Sequence, residues 1–166
     1  DKQRVESVLY ATMDPLVAKL IIDRKLHNEK RVLSVMFADL VDFTGTTEKR
    51  PPETVIDELN ALFSALEPVL FRFRGHLDKY LGDGLMAEFG APYSARMHPL
   101  LAVLAGLRMQ LRMVSAKFPW MMRVGVASGQ SLVGLMGSGS RRNFTAVGDT
   151  VNLASRLQSL CTPGAV

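Results

Sequence analysis

Residues Val32 to Thr47, VLSVMFADLVDFTGTT, constrain this chain more than any other stretch. Leu33, Val35 and Phe37 recur at spacing two, and Met36 and Ala38 between them are apolar as well. A run apolar on both sides reads as a strand covered on both faces. It delivers Asp39 and then Asp42, and breaks into Phe43-Thr44-Gly45-Thr46-Thr47. Small, hydroxyl-bearing residues after a strand suit a turn into a helix whose first N–H groups are unpaired and attract phosphate. Carboxylates at a strand end attract a divalent cation. Together these make a place for a metal–nucleotide complex. A buried strand followed by an ordinary solvated turn accounts for the same residues equally well.

The chain has 166 residues, nearly half of them apolar, enough to bury one good core. Its formal charge of +4 comes from dispersed basic residues. No Lys/Arg run is interleaved with aromatics, so nucleic acid is not the expected partner. A basic surface also suits a small polyanion such as a nucleoside triphosphate. The single cysteine, Cys161, cannot form an internal disulfide and fits a reducing compartment. The longest apolar run, Pro99 to Leu107, is too short to span a bilayer.

In chain order, Val5, Val8, Leu9, Met13, Leu16, Val17, Leu20 and Ile21 predict an amphipathic helix interrupted at Asp14-Pro15. The stripe Leu9, Met13, Leu16, Leu20 suits either a partner helix or the chain's own core. A polar link, Asp23 to Arg31, leads to the organising strand. Pro51-Pro52-Glu53 opens a helix with one apolar stripe (Val55, Leu59, Leu62, Phe63, Leu66, Leu70, Phe73), expected to kink or start its last turn afresh at Pro68 and to end at Gly75. Residues 76–90 read as two short strands joined at Gly82-Asp83-Gly84, with Asp83 exposed in the turn and Lys79 in the first strand. A helix from Ser94 to Ser115 is expected to bury Leu100, Leu101, Val103, Leu104, Leu107 and Leu111. Met122–Ser128 and Ser131–Gly137 read as strands paired around Gly129-Gln130. A basic loop at 138–143, a strand at 144–147 and a helix from Asp149 to Leu160 follow. That helix carries a Leu153, Leu157, Leu160 face and an i, i+4 pair of Asn152 and Arg156. The order is that of an α+β, ferredoxin-like β-α-β-β-α-β core preceded by an N-terminal helical segment.

Three blocks, FADLVDFT at 37–44, KYLGDGLMAEFG at 79–90, and RVGVASGQSLVGLMGS through FTAVGDTVNLASRL within 123–157, give the chain a resemblance to a known family. They resemble the catalytic domain of the class III nucleotide cyclases, the adenylate and guanylate cyclases. The resemblance implies a linker segment at 1–31 and a catalytic domain at 32–166, C-terminally incomplete because the family domain continues with further strands. It matches Asp39 and Asp83 to two metal-binding aspartates, with the Leu40 carbonyl as a further ligand for two divalent cations, Mg2+ or Mn2+. The backbone of Val41 to Thr44, Phe43 and Thr44 included, matches a triphosphate cradle, and Arg141 a further triphosphate contact with Arg142 beside it. Lys79 and Thr145 match the purine-selecting pair in a form similar to adenine readers, and Asn152 and Arg156 match ribose-orienting and transition-state residues.

The implied activity is that of an adenylate cyclase acting on ATP. The alternatives are a guanylate cyclase and a catalytically silent nucleotide-binding or dimerising module. In this family the site straddles two chains. This chain carries both halves and so resembles the homodimeric versions, as a cytoplasmic signalling output domain with an upstream regulatory or membrane-anchoring part.

Overall fold

In the computed structural model, which describes residues 3–4, 7–8, 13–139 and 141–166, a long central strand divides the molecule into two packed faces. In chain order the elements are α1 (Pro15–Ile22), β1 (Glu29–Leu40), α2 (Phe43–Thr47), α3 (Pro52–Arg72), β2 (Gly75–Leu81), β3 (Gly84–Phe89), α4 (His98–Ser115), β4 (Met122–Ser138), β5 (Arg141–Val147) and α5 (Asp149–Leu160). The sheet order is β2-β3-β1-β4-β5 with every neighbouring pair antiparallel. The first four strands have the ferredoxin-like order, and β5 extends it as a hairpin on β4.

The two-sided apolar run does what its pattern predicts. Met36, Ala38 and Leu40 face a core built with Leu62, Leu66 and Leu70 of α3 and Ala102, Ala105 and Met109 of α4. Leu33 and Val35 face the opposite core, with Val17 of α1 and Ala154 of α5. Ser34 is fully buried yet satisfied, its hydroxyl meeting Ser128 Oγ at 2.6 Å and His98 Nδ1 at 2.8 Å. The strand begins earlier than expected, because Glu29–Arg31 already pair with Ser131–Val133.

Asp14 caps α1 through Leu16 N–H at 2.8 Å, and Pro15 takes the first helical position, as the sequence predicts. Its buried stripe is Met13, Val17 and Ile21, whereas Leu16 is half exposed. The helix therefore docks on its own domain through a neighbouring face. Val5 and Leu9 of the expected stripe lie outside the described residues. Helix α3 runs unbroken through Pro68, and it is Arg74, at φ +61°, that reverses the chain before Gly75 opens β2.

Two expectations, the buried side of the fourth helix and a turn at Gly129-Gln130, are corrected. Helix α4 begins at His98, not Ser94, and turns Leu100, Val103, Leu104, Leu107 and Leu111 outward while burying Ala102, Ala105, Gly106, Met109 and Met113. Helix α5 carries Leu153, Leu157 and Leu160 on one exposed face and buries Thr150 and Ala154. Gly129-Gln130 is no turn but the middle of one continuous strand, β4. The hairpin turn lies at Gly139, so most of the expected basic loop is paired strand. Small residues let α5 approach the sheet backbone. A Cβ on Gly129 would lie 2.6 Å from Thr150 Oγ1, and one on Gly125 would land on the backbone of Ala154 and Gln158. Among the described residues no helix is long and apolar enough to cross a membrane.

Gly125→Ala forces α5 off the sheet against backbone atoms that cannot yield, so it should destabilise the fold by about 1–3 kcal/mol, lowering the melting temperature by about 3–10 °C. Thermal unfolding followed by circular dichroism measures this. An unchanged midpoint would mean that the helix is not seated on that glycine.

Candidate active site

The last residues of β1 and the β2–β3 turn form an acidic corner. Asp39 stands opposite Gly84 on one side and Arg123 on the other. A Cβ on Gly84 would sit 2.6 Å from the Ala38 carbonyl oxygen and 2.7 Å from Asp39 Oδ1, so only glycine lets the turn bearing Asp83 press against Asp39. Asp83 is half-buried there rather than exposed. Burial raises the Asp39 carboxyl above its ordinary range and the Asp83 charge adds to the rise, while the Leu40 backbone and Arg123 oppose it. Two like charges held together in partial burial, with carbonyl oxygens nearby, are the donor chemistry of a hard divalent cation. Among the described residues no group of three or more His, Cys, Asp and Glu forms a cage. Ligands beyond the aspartates would therefore be carbonyl, phosphate or water oxygens, as Mg2+ accepts.

The turn that follows is tight. Asp42 adopts φ +51° and leads into α2 without a side-chain cap. The Val41 N–H donates to the Met121 carbonyl at 2.9 Å and is spent, which corrects its place in the expected cradle and leaves Asp42 to Thr44. The Phe43 ring packs on Trp120 at 5.3 Å, and Trp120 Nε1 donates to Thr46 Oγ1 at 3.0 Å, fixing the turn from beneath.

Lys79 and Thr145, the expected purine pair, meet on a third residue. Thr145 Oγ1 donates to Asp78 Oδ2, and Lys79 Nζ lies 3.5 Å from Asp78 Oδ1. β2 and β5 are the two edges of the sheet, so this contact requires the sheet to curl until its edges approach. Asp78 is the residue at which the β2–β3 register slips, between the pairs Leu77–Ala87 and Lys79–Met86. Such a bulge re-aims side chains. Beneath Asp78 lies Glu88, fully buried, whose carboxyl is pushed well above its ordinary range by burial first and by the Asp78 charge second.

Asn152 and Arg156 are exposed, one turn apart on α5. Thr150 Oγ1 anchors the start of that helix to the Gln130 carbonyl at 3.2 Å, and Gln130 pairs with Val32, far along β1 from Asp39. Among the described residues no hydrogen bond or ion pair joins Asn152 or Arg156 to Asp39 or Asp83. Arg141 is exposed at the start of β5, opposite Ser138.

Sequence reasoning overlooked Asp78, Glu88, Arg123 and the Asp14–His76 pair. Glu88 was visible as a lone acid inside an apolar strand, LMAEF. His76 Nδ1 lies 3.1 Å from Asp14 Oδ2, both side chains buried, and Tyr93 Oη donates to the same oxygen at 3.3 Å. Burial works against the ionised Asp14, but hydrogen bonds from His76 and the Leu16 N–H outweigh it and hold the carboxyl below its usual range.

Residues 26–166 match the family model described as the adenylate and guanylate cyclase catalytic domain. Among curated relatives, the terminal-differentiation-specific adenylate cyclase of Dictyostelium discoideum is 36% identical over 136 residues, covering 78% of this chain and 6% of that protein. Adenylate cyclase 1 of Rhizobium meliloti is 31% identical over 139 residues, covering 79% of this chain and 21% of the relative. The chain thus spans a small part of the length of these relatives. Among solved structures, the adenylyl cyclase CyaB from P. aeruginosa superposes with a TM-score of 0.80 at 31% identity, covering 84% of this chain and 76% of that one. The guanylyl cyclase Cya2 gives 0.79 at 33%, covering 82% and 73%.

Burial holds the Glu88 carboxyl well above its ordinary value of 4.5, so above that pH the unfolded chain releases a proton that the folded chain keeps. Folding then takes up a proton, and Glu88 makes stability fall as pH rises. Glu88→Gln removes this cost, so as pH rises above about 5 the variant should gain melting temperature on the wild type progressively. Parallel curves would show that Glu88 ionises equally in both states.

Proposed function

Because this chain belongs to the adenylate and guanylate cyclase catalytic-domain family, we propose that it converts ATP to 3′,5′-cyclic AMP and pyrophosphate, with residues 32–166 as its catalytic unit. The observation that carries the adenine reading is the convergence of Lys79 and Thr145 on Asp78. The Lys79 ammonium can donate to adenine N1. The Thr145 hydroxyl, its proton given to Asp78, has lone pairs left for the 6-amino group. Guanine presents a carbonyl and an N–H at the same edge and would leave buried groups mismatched.

Asp39 and Asp83, with the Leu40 carbonyl, would hold two divalent cations, Mg2+ or Mn2+. Such cations, when bound, neutralise the triphosphate and acidify the ribose 3′-hydroxyl. The amides of Asp42 to Thr44 and the Arg141 guanidinium hold phosphate oxygens. Asn152 orients the ribose, so that the 3′-oxygen faces the α-phosphorus in line with the leaving pyrophosphate. Arg156 meets the charge that develops on the α-phosphoryl oxygens with a planar fork of donors.

Among the described residues no hydrogen bond or ion pair joins Asn152 or Arg156 to Asp39 or Asp83, which supports a site completed by a second copy of the chain. A homodimer then holds two equivalent sites, each taking its aspartates from one protomer and its arginine from the partner. We place the domain in the cytoplasm as the output of a longer signalling protein, with its regulatory or anchoring part upstream.

Incubation with ATP or GTP and Mg2+ or Mn2+, followed by identification of the product, tests this. Cyclic AMP should dominate. Asp39→Ala and Asp83→Ala should abolish turnover with the melting temperature retained, and Arg156→Ala should lower kcat by about 10²–10³-fold with a smaller change in ATP affinity. Cyclic GMP as the main product would overturn the base assignment. Near-normal rates in either aspartate variant would overturn the metal assignment.

A further inference from the structure

Asp78 and Glu88 are two buried carboxyl groups within hydrogen-bonding reach of each other, directly behind the pair that reads the base. Resting on the cyclase reading above, we propose that they share one proton and act as positioning residues that set the adenine preference, by fixing Thr145 as a hydrogen-bond acceptor.

Both Glu88 oxygens and Asp78 Oδ1 are buried without a well-formed hydrogen bond among the described residues; the Ala146 backbone N–H favours the ionised Glu88, and Lys79 Nζ lies 3.5 Å from Asp78 Oδ1. Two adjacent carboxylates so poorly supplied with donors would be strongly unfavourable. A single proton on Glu88 resolves this, because its hydroxyl can then donate to the Asp78 carboxylate. Asp78 keeps its charge and uses it twice, accepting from Thr145 and attracting Lys79.

The surroundings agree with a proton held at this point. His76 is the cross-strand partner of Glu88, but its Nδ1 is engaged by Asp14. Lys79 on β2 is drawn to Asp78, while Tyr93, in the loop after β3, directs its hydroxyl to Asp14. Val35, the β1 partner of Glu88, offers no titratable group.

The consequence is chemical. A hydroxyl has one proton. With that proton committed to Asp78, Thr145 can only accept from a ligand, and an exocyclic amino group fits where a carbonyl does not. Converting Asp78 to an amide allows its NH2 to donate to Thr145, which frees the threonine proton to point outward and favours a carbonyl.

The test combines infrared difference spectroscopy with nucleotide selectivity on the same proteins. The wild type should show the carbonyl stretch of a buried protonated carboxylic acid at neutral pH, and Glu88→Gln should lose it. Because glutamine supplies the same donor, Glu88→Gln should keep the preference for ATP over GTP in binding and in kcat/KM. Asp78→Asn and Glu88→Leu should each erode that preference by about 10–100-fold, the scale of one mispaired hydrogen bond. Asp78→Asn should shift it toward GTP. Absence of the acid band, measured on the unmodified protein and so independent of any variant's folding, overturns the shared proton. Full selectivity in folded Asp78→Asn overturns the positioning role. A wild type that shows the band but treats both purines alike overturns the adenine reading, and the selectivity claim with it.

Discussion

The contact between Thr145 and Asp78 joins the two edge strands of the sheet, and the proposed base-reading half of the site depends on it. Edge strands of a flat sheet cannot touch. Here β4 runs for 17 residues and carries β5 with it, and accumulated twist brings the hairpin back toward β2. The bulge at Asp78 completes the approach by aiming the carboxylate at Thr145 with Lys79 beside it. The meeting of Lys79, Thr145 and Asp78 is therefore a property of sheet curvature as much as of side-chain identity.

The opposite corner depends on close packing. Gly84 lets the β2–β3 turn lie against Asp39, and the two carboxylates are left in partial burial with their charges opposed. The long strand β1 anchors this corner because it is buried on both faces, by α3 and α4 on one side and by α1 and α5 on the other. A strand so enclosed cannot slip in register without moving both cores. The position of Asp39 follows from that rigidity.

Local signals were legible in the sequence and distant ones were not. The two-sided apolar run, the Gly82-Asp83 turn and the Asp14-Pro15 helix start appear where the pattern puts them. The buried face of α4 did not, because the leucines that dominate a hydropathy pattern point outward while Ala102, Ala105 and Gly106 make the contact. Small residues contribute little to a pattern and much to an approach distance. Asp39, Lys79 and Thr145 could be named from motifs. Asp78 and Glu88 could not be paired, since nothing in the spacing of 78, 88 and 145 announces a curled sheet.

If the aspartates of one protomer serve a nucleotide held by Asn152 and Arg156 of its partner, catalysis belongs to the dimer. Subunit mixing measures this most directly. Asp39→Ala and Arg156→Ala proteins should each be inactive alone. Combined in equal amounts at high concentration, random pairing makes half of the dimers mixed, each with one site free of both lesions, so activity should return to about a quarter of the wild-type level. Two inactive proteins that remain inactive after demonstrated subunit exchange would contradict the shared site and place all its residues within one chain.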